Sequence, residues 1–381
     1  MRIVNGNVFI DGEFRHCDVD VKGDRFASIG DYGSLCQCSS FDPEIVEADG
    51  CYVIPGVIDL HFHGCMGSDM CDGTVEAVSV LAKHEASCGV TAICPATMTY
   101  PESILGPVMD AAFAFQPAED EAALVGINLE GPFISPSKVG AQNPEYVQPC
   151  DAGMIRRLQE RAGGLVKLVD IAPEEAGALD FVREMHDEVR VSIAHTCADY
   201  AQTDAAFKQG AKHVTHLCNA MAPLHHREPG PIAAAFDNEE VTVELITDGK
   251  HIDPAMVRVL FGLFGDKRII IISDSMRAAG LEDGEYDLGG QVVSVHDGLA
   301  WLTEDTIAGS VTDACTCMCR CAKDFGIPLE SAVRAATENP ARALGVFDER
   351  GSIAPGKIAD AVILDRDLNV VNVVLRGKLL R

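Results

Sequence analysis

The chain has few cationic residues for its length and no long apolar run. Its 381 residues include 30 Lys and Arg against 58 Asp and Glu, which gives a formal net charge of −28. Binding to a nucleic-acid backbone needs clustered cations, so this balance argues against a nucleic-acid partner. No apolar run approaches the roughly 18 residues of a membrane-spanning helix, and we therefore expect no membrane segment.

The sequence also lacks a secretion signal, although it contains 15 cysteines. Asp11 and Glu13 interrupt the N-terminal segment before any apolar stretch develops. This predicts a reducing cytoplasm with free thiols rather than a disulfide framework. The densest cysteine cluster alternates along the chain: Cys315, Cys317, Cys319 and Cys321. Its spacing differs from the C-x-x-C of zinc and redox sites, so we interpret these cysteines as small apolar residues on a helix.

Both ends of the chain have a β-strand character. The first fifty residues alternate polar and apolar positions, with turn signals at Asn5-Gly6 and Asp11-Gly12. The last thirty residues contain the strand-like runs ADAVILD and VVNVVLRG. We predict one small β-sandwich domain from residues 1–54 and 353–381, with an insertion that starts near Ile54-Pro55-Gly56.

The inserted segment, 55–352, alternates short β-rich runs with longer helical stretches. This pattern is typical of repeated βα units around a parallel sheet, and eight such runs predict an α/β fold with a (β/α)8 TIM barrel. The runs end near residues that can be read from the sequence: His63, Ala96, Glu130, Ala172, His195, Leu217, Asp248 and Asp274.

Side chains that could ligate a metal fall at the ends of five of these strands. In a TIM barrel the carboxyl ends of the strands build the active site, so the six side chains should converge. The strand period of two points His61 and His63 to the same side of the sheet. The predicted metal ligands are His61, His63, Glu130, His195, His216 and Asp274.

Nitrogen and carboxylate donors without a nearby cysteine indicate an open, catalytic site for Zn²⁺, Fe²⁺ or a similar ion. Six donors exceed the need of one tetrahedral ion, so two ions bridged by Glu130 are a plausible alternative to one. Such ions lower the pKa of a bound water toward about 7. Asp274 can then accept a proton and return it to a leaving amine, although it could also cap a following helix in SDSMRAAG.

Several motifs resemble those of the N-acetylglucosamine-6-phosphate deacetylases of the amidohydrolase superfamily. The likeness covers nearly the whole chain, and the order of LEGPF, THLCNAM with REPG, and DGKHID is its most specific part. The matching stretches are PGVIDLHFHG, LEGPF, KVGAQNPEY, AHT, THLCNAMAPLHHREPG, DGKHID and SDSMRAAG.

The resemblance implies roles for individual residues. Glu130, His195 and His216 correspond to the constant metal site of the family, and Asp274 to its acid and base. The pair of His61 and His63, which some members lack, favours a second ion. Gln142 stands where the family has a histidine that contacts the amide carbonyl. The implied substrate contacts are Asn219, the backbone of Ala220, Arg227 and His251 for the phosphate, and Ile307 for the acetyl group.

The sequence therefore predicts hydrolysis of N-acetyl-D-glucosamine 6-phosphate to D-glucosamine 6-phosphate and acetate. We expect one or two Zn, Fe or Mn ions per subunit and a cytoplasmic homodimer. One alternative is a cyclic-amide hydrolase of the dihydroorotase or hydantoinase type, which would bridge its metals with a modified lysine on the fourth strand. Lys167 lies early in that strand. A second alternative is a non-catalytic sugar-phosphate sensor. The preferred epimer stays open.

Overall fold

The computed structural model of the protein describes residues 1–31 and 44–380. Its N-terminal part consists of short strands: β1 (Arg2–Ile10), β2 (Glu13–Lys22), β3 (Arg25–Asp31), β4 (Ile45–Glu47) and β5 (Tyr52–Pro55). Asp11 and Gly12 form the predicted turn between β1 and β2, with φ of 51° and 88°. The prediction of a turn at Asn5-Gly6 is wrong. These residues lie inside β1 at a bulge, where the left-handed φ of Asn5 shifts the register of the pairing between β1 and β2.

Parallel strands and helices alternate through the next part of the chain, as the sequence predicts, apart from one short antiparallel hairpin after the first parallel strand. Its strands are β6 (Val57–Asp59), β7 (Gly64–Cys65), β8 (Ser68–Asp69), β9 (Val90–Ile93), β10 (Ala96–Thr97), β11 (Ala123–Leu124), β12 (Ile127–Phe133), β13 (Val166–Ile171), β14 (Arg190–Ile193), β15 (His213–Val214), β16 (Thr242–Ile246) and β17 (Ile269–Ile272). Its helices are α1 (Val75–Cys88), α2 (Glu102–Ala114), α3 (Ala152–Arg161), α4 (Ala178–Met185), α5 (Tyr200–Gln209), α6 (Gly230–Asp237) and α7 (Pro254–Phe264).

Local signals set the ends of these helices. The Thr74 hydroxyl accepts a hydrogen bond from the Ala77 N–H at the start of α1, and Gly89 ends the helix with a φ of 99°. Asp199 and Gln202 form a reciprocal capping box at the start of α5. Within residues 1–31 and 44–380, no helix combines the length and the apolarity that crossing a membrane would require.

The parallel strands curl into a half-barrel. One sheet has the order β10-β12-β13-β14-β15-β16-β17, and a second has the order β11-β9-β6. The backbone N–H of Asp274, beyond β17, donates to the carbonyl of His61, beyond β6, at 2.9 Å. The His63 N–H donates likewise to the Ser275 carbonyl at 2.7 Å. The segments that follow the first and last of these strands therefore lie side by side.

An antiparallel sheet, which the sequence analysis did not predict, follows the last parallel strand. The remaining elements are β18 (Gly284–Leu288), β19 (Gln291–His296), β20 (Leu299–Thr303), β21 (Thr306–Ser310), α8 (Ala314–Lys323), α9 (Leu329–Ala336), α10 (Glu338–Ala343), β22 (Ala361–Leu364), β23 (Val370–Leu375) and β24 (Lys378–Leu379). The helix in SDSMRAAG that Asp274 could cap does not form, since the first described helix after Asp274 is α8. Gly289-Gly290 and Asp297-Gly298 instead form two-residue turns of a β-meander.

The two ends of the chain meet in a separate β-rich domain. Its sheet has the order β24-β23-β22-β5-β1-β2-β3, with β4 beside β1. Strand β22 joins the C-terminal strands to the N-terminal ones, with Ala361 opposite Pro55. The domain has its own apolar core, which includes Ile3, Val19 and Phe26. The protein is thus a mixed α/β fold, with a curled half-barrel of parallel strands and a β-rich domain that both termini build.

The alternating cysteines lie on a helix, as predicted. Helix α8 carries Cys315, Cys317, Cys319 and Cys321, and all four are buried in the main apolar core. All 13 cysteines of residues 1–31 and 44–380 have free thiols. Cys36 and Cys38 lie outside the described residues.

Candidate active site

Most of the predicted metal ligands occupy the same position relative to a parallel strand. His61, His195, His216 and Asp274 each lie two residues beyond the end of their strand, whereas Glu130 lies within β12. His195, His216 and Asp274 have positive φ angles of 43°, 29° and 49°. Residues other than glycine adopt this left-handed conformation at a cost, in tight turns and often at active sites. The chain therefore turns sharply at the points where these side chains enter the cavity.

The carboxylate of Glu130 lies at the centre of the cluster. Its Oε1 is 2.8 Å from Nε2 of His195 and 3.1 Å from Nε2 of His216, and its Oε2 is 3.1 Å from Nε2 of His63. Two groups of three donors, His61-His63-Glu130 and Glu130-His195-His216, each have their ligating atoms within 4.8 Å of one another. Glu130 is common to both groups.

These donors fit a divalent metal. His61 is fully buried, and its Nε2 has no hydrogen-bond partner, 3.6 Å from Oδ1 of Asp274 and 3.8 Å from Oε2 of Glu130. Burial favours the neutral His63, but Glu130 and Asp274 outweigh it and raise the His63 pKa to about 10. Burial likewise opposes ionisation of Glu130, yet the surrounding histidines lower its pKa well below the usual range. The cluster therefore attracts positive charge, which an ion of the Zn or Fe type would supply.

Glu244, which the sequence analysis did not select, orients the histidines. Its Oε2 lies 3.0 Å from Nδ1 of His61 and accepts the backbone N–H of His216 at 3.0 Å, and its Oε1 lies 2.8 Å from Nε2 of His213. Burial raises the Glu244 pKa, but the His61 charge and the hydrogen bonds from His213 and His61 lower it to about 2. An ionised Glu244 holds the His61 proton on Nδ1 and leaves Nε2 for an ion.

Replacing Glu244 with glutamine should weaken metal binding by roughly 10- to 100-fold, because the His61 ring loses its charged partner. Titration of the chelator-treated protein with Zn²⁺ measures this affinity. Glu304→Gln, on the exposed turn between β20 and β21, is the matched control and should bind as the unaltered protein does. Equal affinities for the two variants would show that Glu244 does not support the site.

Gln142 is buried against the same carboxylate. Its Nε2 donates to Oε2 of Glu130 at 2.7 Å, and its Oε1 accepts the backbone N–H of Thr99 at 2.7 Å. The Thr99 hydroxyl in turn donates to the Glu130 carbonyl at 3.0 Å. In this arrangement Gln142 positions Glu130, and its contact with a substrate carbonyl stays a prediction.

The cluster opens into a cavity of about 530 Å³. Five of the six predicted substrate contacts line it: Gln142, Asn219, Ala220, His251 and Ile307. Nδ1 of the buried His251 lies 2.7 Å from Oδ2 of Asp248, which fixes the ring. The β-meander supplies Leu288 and Ile307, so this unpredicted sheet forms one wall. Arg227 lies elsewhere: it is exposed and lines a different cavity with Tyr200.

Comparison with known proteins agrees with this geometry. Residues 52–380 match the family model described as "Amidohydrolase family". The chain is 37% identical over 344 residues to the N-acetylglucosamine-6-phosphate deacetylase of Bacillus subtilis (strain 168), covering 89% of this chain and 87% of that protein. It is 35% identical over 349 residues to the N-acetylgalactosamine-6-phosphate deacetylase of Escherichia coli O157:H7, covering 91% and 92%.

A solved structure resembles the whole chain. A mutant of the N-acetyl-D-glucosamine-6-phosphate deacetylase of Mycobacterium smegmatis, in complex with N-acetyl-D-glucosamine-6-phosphate, superposes with a TM-score of 0.92 at 32% identity. The match covers 100% of this chain and 99% of that one.

The fold and the buried histidine-carboxylate cluster define a metal-dependent hydrolase that acts on amides. The chain belongs to the amidohydrolase family, and within it to the N-acetylglucosamine-6-phosphate deacetylases. The resemblance seen in the sequence motifs is thereby confirmed.

Proposed function

We propose that this protein hydrolyses the acetamide of N-acetyl-D-glucosamine 6-phosphate to D-glucosamine 6-phosphate and acetate. The observation that carries the proposal is the Glu130-centred cluster at the base of a cavity lined by Asn219, Ala220 and His251. Amide N–H groups and imidazoles can donate hydrogen bonds to a phosphate locally, although the chain as a whole carries a net charge of −28. The relatives that are deacetylases of this sugar phosphate support the same substrate.

The proposal assigns the metal ligands in two sets. Glu130, His195 and His216 hold one ion, and His61 and His63 hold a second with Glu130 as the shared ligand. Asp274, the sixth predicted ligand, lies beside His61 and His63. The common position of Glu130 in both donor groups supports two ions per subunit. Zinc, iron and manganese all suit nitrogen and carboxylate donors.

A bound ion would polarise the amide carbonyl and lower the pKa of a bound water into the neutral range. Asp274 accepts a proton from the attacking water at its carboxylate and delivers it to the sugar nitrogen as the C–N bond breaks. Gln142 holds Glu130 in place, and Ile307 lies against the acetyl methyl group. Asn219, Ala220 and His251, which line the same cavity, hold the phosphate.

Acetate release tests the function directly. The purified protein, treated with chelator and restored with Zn²⁺, Fe²⁺ or Mn²⁺, should release acetate from N-acetylglucosamine 6-phosphate. Unphosphorylated N-acetylglucosamine should react poorly, because it lacks the anion that the cavity binds. N-acetylgalactosamine 6-phosphate deserves a parallel assay, since one relative at 35% identity deacetylates that epimer by name. No acetate with any of the three ions would refute the proposal.

The two alternatives find less support in the contacts. A cyclic-amide hydrolase would need a modified lysine at the metals, but Lys167 lines a different cavity together with Arg190 and Lys212. A non-catalytic sensor would not need an acidic group beside the metal ligands. Asp274 provides such a group, with its Oδ1 3.4 Å from Nε2 of His63. The position of Lys167 and the presence of Asp274 therefore favour the deacetylase over the two alternatives.

The proposal extends to the architecture and the assembly. We take the parallel strands to close into one (β/α)8 barrel at residues 55–352, with residues 1–54 and 353–381 forming the β-sandwich domain. The hydrogen bond between His61 and Asp274 supports the closure. The free thiols favour a reducing cytoplasm. A homodimer would explain the exposed Arg227, if its segment meets the cavity of the neighbouring protomer.

Arg227→Gln should raise KM for the sugar phosphate by roughly ten- to a hundredfold with little change in kcat, because the proposed dimer brings the Arg227 guanidinium to the phosphate of the neighbouring protomer and one charged hydrogen bond would be lost. Steady-state kinetics provide the measurement, and light scattering reports whether the dimer persists. Arg183→Gln, an exposed arginine on α4, is the control. An unchanged KM would remove Arg227 from the phosphate site.

A further inference from the structure

A second group of metal-type donors lies apart from the active site, between the β7-β8 hairpin and α1. It consists of Cys65 on β7, and His84 and Glu85 on α1. The sulfur, one ring nitrogen and one carboxylate oxygen of these residues all lie within 4.8 Å of one another. Sulfur, nitrogen and oxygen donors in such proximity suit zinc or cobalt rather than magnesium or calcium.

Glu85 is buried without a partner. Its side chain is only 1% exposed, and neither carboxylate oxygen has a hydrogen bond. Burial, together with the charges of Asp59 and Asp313, raises its pKa well above the usual range. A carboxyl group buried without hydrogen bonds is strongly disfavoured in its charged form unless a cation lies beside it.

Cys88 lies next to this group on α1. It follows His84 by four residues, and its Sγ lies 3.8 Å from Nε2 of His84. The Cys88 sulfur is not part of the three-donor group, so solvent would fill the fourth position of a tetrahedral ion. His84 and Cys88 are half-buried, which gives an ion a route from solvent.

We propose that Cys65, His84 and Glu85 bind a zinc-type ion, with a solvent molecule at the remaining coordination position. The Cys65 thiol and the Glu85 carboxyl group each release a proton to solvent as the ion binds. One thiolate and one carboxylate then balance the two positive charges of the ion. Because Cys65 lies two residues after His63, the ion would tie the segment that carries the active-site histidines to α1.

Cobalt distinguishes this site from the catalytic one. A thiolate ligand gives Co²⁺ a sulfur-to-metal charge-transfer band in the near ultraviolet, which nitrogen and oxygen ligands do not give. The full-length protein, treated with chelator and titrated with Co²⁺, should show this band together with one cobalt per chain beyond the catalytic ions. The double variant His195→Ala, His216→Ala should keep the band, whatever its activity.

Four further variants locate the ligands. Cys65→Ser should abolish the band. His84→Gln, at a half-buried position, should weaken cobalt binding at this site by about tenfold or more. Cys218→Ser, in the catalytic cavity, and Cys94→Ser, buried elsewhere, are the controls and should keep the band. Absence of the band in the unaltered protein, its survival in His84→Gln with unchanged affinity, or its loss in Cys218→Ser would each overturn the proposal.

Discussion

Asp274→Asn is expected to lower kcat by on the order of 10²–10⁴-fold while the affinity for N-acetylglucosamine 6-phosphate stays nearly unchanged. Asparagine keeps the shape of the side chain but cannot accept a proton. The carboxylate reaches the cavity with 13% of its surface exposed, and its Oδ1 is 3.6 Å from Nε2 of His61. Burial opposes ionisation of Asp274, but the hydrogen bond from His63 and the charges of His61 and His63 lower its pKa. An ionised base is therefore in place.

The loss should appear in turnover and not in binding. Acetate release gives kcat, calorimetry gives the affinity for the sugar phosphate, and metal analysis shows whether the variant keeps its ions. Asp305→Asn changes an exposed aspartate of the same cavity and should remain near full activity. A kcat within tenfold of the unaltered protein, with full metal content, would mean that another group moves the proton.

The proximity of the candidate metal ligands could be predicted because a strand has a simple geometry. The carboxyl ends of parallel strands meet at one end of a barrel, and residues two apart point to the same side. The strands themselves end earlier than expected, since His195 and Asp274 leave them through a left-handed turn. Hydrophobic patterning predicts where a strand runs, but it carries no information on this change of backbone direction.

Other parts of the site depend on contacts between distant segments. Glu244 is an acidic residue inside the apolar strand β16, which signals a special role, but its partners His61 and His213 come from other strands. The contact of Gln142 with Glu130 depends on how a loop returns to β12. The β-meander has readable turn signals in Gly289-Gly290 and Asp297-Gly298, yet its packing beside the cavity follows only from the tertiary structure.

Glu130→Gln should remove both metal binding and activity, because one carboxylate serves two groups of ligands. Its Oε1 faces His195 and His216, and its Oε2 faces His63. The glutamine amide would place N–H donors where the site needs an acceptor, and on the Oε2 side they would oppose the N–H of Gln142. Breaking a buried charge pair costs about 3–5 kcal/mol, which corresponds to a loss of roughly 10²–10⁴-fold in metal affinity.

Metal analysis per chain, together with acetate release, shows whether Glu130 is a ligand shared by two ions or whether the two ions bind independently. The unaltered protein should gain thermal stability on addition of Zn²⁺, and Glu130→Gln should lose most of that gain from the catalytic ions. Glu282→Gln, at an exposed position, is the control for the change of charge. If Glu130→Gln kept one full catalytic ion and measurable turnover, one of the two histidine pairs would bind its ion without the Glu130 carboxylate. Glu130 would then be a ligand of one ion only and would not be shared between two.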